Sequence, residues 1–204
     1  MRKIIQIFSY IFHPVIIPVM ATGCYFFVSH QFYSTSEIQL TLFHTFLLTF
    51  LLPICIYFML RSMKMMSSSI MIERREERTS PIVLNIALLA ILVFYIWENN
   101  RIYNIKHFFI GYMLSYLIVL ATVLFKKKYS IHMLSYAALS IFFIKTTVDL
   151  YKESLFAISA LIFIGGCIAS ARLAINAHTS KEIIIGTFIG ALPQIILWNK
   201  VFIL

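Results

Sequence analysis

The chain has 204 residues, of which 61% are hydrophobic and only 12% charged, and it carries a net charge of +9 at pH 7. So apolar a composition lies far outside the range of soluble domains, and no hydrophilic stretch is long enough to form one. Nucleic acid is a poor partner for the excess charge, because Lys and Arg gather at the ends of apolar segments, where they anchor and orient membrane helices.

The apolar residues fall in runs of roughly 16 to 21, close to the length that crosses a hydrocarbon core. Spanning segments this apolar must satisfy their own backbone, so helices are expected. The prediction is an all-α polytopic transmembrane bundle of about six to seven helices, forming one integral membrane domain over residues 1–204. No internal repeat or low-complexity linker interrupts it.

After the basic start Met1-Arg2-Lys3, segment one runs from about Phe8 to Val28. It reads as a retained helix that His13-Pro14 and Pro18 would kink. His13 reads by default as a packed core histidine, although an ionisable group at this depth raises the odds of a function. Segment two, about Leu40 to Leu60, contains His44 and Pro53, and His44 takes the same default. The longest polar stretch follows, Arg61 to Ser80, and includes Glu73-Arg74-Arg75-Glu76-Glu77-Arg78-Thr79-Ser80-Pro81. Pro81 suits the first turn of a helix. Segment three, about Ile82 to Trp97, ends on Tyr95 and Trp97, as an interfacial aromatic belt would. Segment four, about His107 to Phe125, is stopped by Lys126-Lys127-Lys128. Segment five, about Ile131 to Val148, opens on Ser130-Ile131-His132. Segment six, about Ser154 to Ala171, contains Gly165-Gly166. Segment seven, about Glu182 to Val201, carries Gly186 and Gly190 one turn apart, a spacing that favours close helix packing. Cys24, Cys55 and Cys167 lie in apolar segments without metal-like spacing and read as free thiols.

Counting crossings places Arg61–Ser80, Lys126–His132 and Arg172–Glu182 on one side. With the N-terminus, that side holds twelve Lys and Arg against five on the other. The positive-inside rule makes it the cytoplasmic side. Part of that charge belongs to the candidate site itself, so an outward-facing site stays open. The three stretches together offer arginines, histidines and a carboxylate. Guanidinium groups neutralise phosphate oxygens in bidentate geometry. An imidazole can attack phosphorus or protonate a leaving oxygen, and a carboxylate can fix its tautomer. Should Thr179 or Ser180 start a helix, His178 would sit at an anion-friendly N-terminus.

The order and spacing resemble the type 2 phosphatidic acid phosphatases, the lipid phosphate phosphatases. Their third motif is Ser-Arg, five residues, His, three residues, Asp; here Ala171-Arg172, His178 and Glu182 keep that spacing. Their second motif, Pro-Ser-Gly-His, is matched at Ser130 and His132 within Tyr129-Ser130-Ile131-His132. Their first motif, Lys, six residues, Arg-Pro, has a loose counterpart in Arg74–Pro81. The resemblance covers about residues 70–190. It implies a metal-independent membrane phosphatase that needs no cofactor, in the inner membrane of a bacterium. Its substrate would be a lipid phosphate or a polyprenyl pyrophosphate, with surrounding membrane lipids as further partners. His178 would be the nucleophile and form a phosphohistidine. Glu182 would orient it, and His132 would be the general acid. Arg172 would hold the phosphate with Arg78, Arg75, Arg74 and Ser130. Two other readings remain. One is a non-catalytic lipid-binding or transport protein of the same fold. The weaker is a metal site made by His178, Glu182 and His132.

Overall fold

The computed structural model of the chain describes residues 10–63, 79–97, 102–152 and 155–198. Among these the protein is all helix, without strands, and is built of seven principal helices. They are α1 (Ile17–Ser29), α2 (Thr35–Ser62), α3 (Thr79–Ile96), α4 (Tyr103–Leu124), α5 (Ile131–Asp149), α6 (Leu155–Ala174) and α7 (Ser180–Trp198). The last six are long and apolar enough to cross a membrane. The expected polytopic bundle is therefore present. Many large apolar side chains on its outer faces are exposed, among them Phe27 and Phe156, as a lipid-facing surface requires.

The first segment differs from expectation. It is not one kinked helix from Phe8 to Val28. A tight turn over 13–16 precedes α1, closed by the Ile16 N–H donating to the His13 carbonyl at 2.8 Å. Pro14 lacks an N–H and pushes His13 out of helical geometry. Pro18, by contrast, falls in the first turn of α1, where a missing donor costs nothing. With 13 residues, α1 is about 20 Å long, short of the hydrocarbon thickness.

Several other helices extend past an expected bound, and their ends are closed by side-chain or backbone caps. Ser34 and Glu37 form a reciprocal capping box at the start of α2. Three helices stop in the same way, on a left-handed residue that is not glycine: Lys126 after α4, Tyr151 after α5 and Asn176 after α6. At each, the following N–H reaches back five residues, as from Ala177 to the Arg172 carbonyl at 3.1 Å, and the left-handed residue's own N–H closes the inner bond, as from Asn176 to Leu173 at 2.9 Å. Asparagine tolerates this conformation better than alanine, so Asn176→Ala should lower stability by about 1 kcal/mol, read as a lower melting temperature in detergent, while Asn176→Gly should not.

The centre of the bundle is the pair α5 and α7. Gly186 lies against Ser130 and Gly190 against Leu134, so both contacts share one register and the two helices run parallel. A Cβ on Gly190 would come within 2.0 Å of the Leu134 carbonyl oxygen. Only glycine permits this approach, and the small-residue pair is the packing face its spacing predicts. On its other side α7 is tied to α4: Gln194 donates to the Phe108 carbonyl at 3.0 Å, and Ser115 to the Ile189 carbonyl at 3.0 Å. Tyr25 of α1 stacks on Phe142 of α5, which also meets Phe108 of α4. Trp97 belongs to this core and not to an aromatic belt. It is fully buried, edge-on to Phe109, whereas Tyr95 is exposed.

Candidate functional site

Residues 172–182 form the turn between α6 and α7, and its shape follows from helix caps. Arg172 lies in the last turn of α6 and its carbonyl takes part in the C-terminal cap. Thr179 precedes α7 and its hydroxyl accepts the Glu182 N–H at 3.3 Å. Glu182 reaches back, its Oε2 accepting the Thr179 N–H at 3.0 Å. The same Oε2 lies 3.1 Å from His178 Nδ1. An ionised carboxylate can only accept, so Nδ1 carries the proton, and in the neutral ring Nε2 holds the lone pair.

The capping box explains Glu182 without any chemistry. It does not explain why His178 and Arg172 are buried. The His178 side chain is 2% exposed and Arg172 is 5% exposed. A guanidinium at the end of a membrane helix normally reaches for the interface, and burying it is costly unless the charge is used.

The second stretch meets the third directly. The Ser130 N–H donates to the Glu182 carbonyl at 3.2 Å. Ser130 is fully buried and caps α5 through its hydroxyl, which accepts from the Met133 N–H at 3.4 Å. Two helix N-termini, of α5 and α7, therefore meet at one place and present their positive dipole ends. Lys128 lies close enough for its charge to bear on Glu182. The charges of Arg172 and Lys128 and the N-terminal dipoles of α5 and α7 favour an anion; Glu182 and the C-terminal end of α6 oppose it.

His132, in the first turn of α5, is buried. Its neighbour is His13, with ring centroids 5.3 Å apart and planes at 88°. The 13–16 turn is held there by Tyr112, whose hydroxyl donates to the Pro14 carbonyl at 3.2 Å and pairs with Ser135 at 2.8 Å. Ser135 sits one turn beyond His132, so the same contacts fix both rings. The charge of Arg172 also bears on His13. His13 is thus a member of the cluster that the default core reading passed over. Its sequence signal was a histidine immediately before a proline inside an apolar run, where the chain breaks. His44, by contrast, is half-buried midway along α2 beside Phe43.

Of the residues predicted for the site, the structure gathers Ser130, Arg172, His178 and Glu182 at the ends of α5, α6 and α7, with His132 one turn inside. Arg74, Arg75 and Arg78 lie outside the described residues. The stretch to which they belong does arrive nearby: Ser80 and Pro81 share a cavity wall with His13. The facial metal set of His178, Glu182 and His132 is not formed. Among the described residues no three His, Cys, Asp or Glu side chains are placed to hold a metal ion.

The cap and the charge of Glu182 can be separated. Gln keeps the cap but not the charge, so Glu182→Gln should change stability by no more than about 0.5 kcal/mol. If the carboxylate sets the His178 tautomer, that variant should still lower turnover by about 10²- to 10⁴-fold. Glu182→Ala should lose both, with stability falling by about 1 kcal/mol. Thermal unfolding and phosphate release measured on the same preparations check this. No family model, curated protein or solved structure matches the chain.

Proposed function

We propose that the protein is a membrane phosphatase that removes phosphate from a lipid phosphate or polyprenyl pyrophosphate without a metal ion. The observation that carries this reading is the buried His178 ring held 3.1 Å from the partly exposed Glu182 carboxylate, at the junction of two helix N-termini beside a buried arginine. Structural capping needs neither the imidazole nor the guanidinium. The apolar setting and the motif order select a lipid-borne phosphate over a soluble one.

In this reading His178 Nε2 attacks phosphorus as the bond to the leaving oxygen breaks. That oxygen takes a proton from His132, and the phosphoryl group remains on His178. Water then attacks the phosphohistidine, giving its proton to His132, and inorganic phosphate departs. Arg172 neutralises the equatorial oxygens throughout, with backbone N–H groups at the starts of α5 and α7. Arg74, Arg75, Arg78 and Ser130 are the further phosphate-binding residues of this reading. In this reading the site lies on the cytoplasmic face of the membrane, which the excess of Lys and Arg on its side supports.

The test is a phosphate-release screen in vesicles across phosphatidate, phosphatidylglycerophosphate and undecaprenyl pyrophosphate, with and without chelator. Release from at least one lipid, unchanged by chelator, is expected. Lipid binding without release from any of them would favour a binding or transport protein and overturn the hydrolytic reading.

A further inference from the structure

We propose that the cavity beside His13 seats one hydrocarbon chain of a phosphate-bearing lipid, with His13 at the junction of chain and headgroup. The proposal rests on the phosphate reading of the cluster and adds to it a tail site and a third histidine. The cavity has a volume of about 480 Å³, within the roughly 300–1,000 Å³ range of small-molecule sites. It lies between α2, α3 and the 13–16 turn, walled by Ile54, Tyr57, Leu84 and Pro81 among others. Almost all of its lining is apolar; the polar exceptions include His13 and Ser80.

Continuity with the site decides the occupant. His13 lines the cavity on one side and meets His132 edge-on on the other. The cavity follows the C-terminal part of α2 and the first turns of α3, which lie at the same end of the bundle as Ser130 and His178. A lipid of that leaflet has its headgroup at this level and its chains running inward, the direction in which the cavity runs. The anionic head would reach Arg172, His178 and the two helix N-termini. The Val15 N–H donates to His13 Nδ1 at 3.4 Å, so the neutral ring carries its proton on Nε2. That N–H is the donor available to an ester or phosphate oxygen at the junction.

The experiment uses the full chain in phosphatidylcholine vesicles with a phosphatidate carrying a diazirine on one acyl chain. After irradiation, adducts should concentrate on residues 53–60 and 80–85. Excess unlabelled phosphatidate should suppress them, and diacylglycerol of the same chains should not. Leu84→Trp, which fills the cavity, and His13→Ala, which removes the junction donor, should each cut this competed labelling by about tenfold, the equivalent of 1.4 kcal/mol. Adducts on the lipid-facing Leu155, Phe156, Ile162 and Phe163 of α6 should persist in both variants. Even labelling of cavity and α6, equal competition by diacylglycerol, or a cavity left unlabelled would overturn the proposal. Phosphate release from the same vesicles separates the two readings. Competed labelling without release keeps the tail site and sinks hydrolysis. Release that Leu84→Trp leaves unchanged keeps hydrolysis and sinks the tail site.

Discussion

Replacing His178 by alanine should lower phosphate release by 10⁴-fold or more, on the order of losses seen when a nucleophile is removed. Stability should change little by comparison. The cap of α7 is made by Thr179 and Glu182, and both remain. His132→Ala should behave differently. A general acid contributes about 10²- to 10⁴-fold, and most to substrates whose leaving oxygen is the stronger base. The alcohol of a phosphatidate should therefore suffer more than the phosphate that leaves a pyrophosphate. Equal losses for both leaving groups would remove His132 from the acid role and leave it as a packed partner of His13.

Gly190→Ala should be the most disruptive single methyl in the chain's described helices. Its Cβ would lie 2.0 Å from the Leu134 carbonyl oxygen and 2.7 Å from the carbonyl carbon. Both are backbone atoms and cannot rotate away. The helices must separate, at a cost of about 3 kcal/mol or more. Separation at Leu134 would also shift Ser130 against Glu182 one turn above, so activity should fall with stability. Gly23 and Gly166 supply the control, since a Cβ at either meets nothing within 4 Å. Their alanine variants should be neutral or more stable by up to about 1 kcal/mol, the helix-propensity gain. Melting temperature in one detergent compares all three.

Much of the bundle was legible in the chain because apolar run length is a strong signal in membrane proteins. The Gly186–Gly190 spacing marked a packing face on α7, though not α5 as its partner, and parity put Ser130 and Glu182 on one side. Other features left no mark of the expected kind. The helix stops at Lys126 and Tyr151 use left-handed residues that are not the usual Gly or Asn, so only Asn176 was readable as a cap. Trp97 looked interfacial by its place at a segment end; packing against Phe109 put it inside. His13 was weighed as an isolated residue on its segment. Its importance lies in a tertiary contact with His132, fixed by Tyr112 far along the chain. Hydropathy and spacing within one segment hold no information about such a contact.

The proposed mechanism requires that His178 receive the phosphoryl group. The direct measurement is rapid alkaline quench of the reconstituted protein after mixing with a lipid carrying labelled phosphate, followed by peptide mapping and identification of the phosphohistidine isomer. Glu182 occupies Nδ1, so the prediction is an acid-labile label on His178 bonded at Nε2, absent from His178→Ala. Label on any other residue, or undiminished phosphate release by His178→Ala, would contradict it.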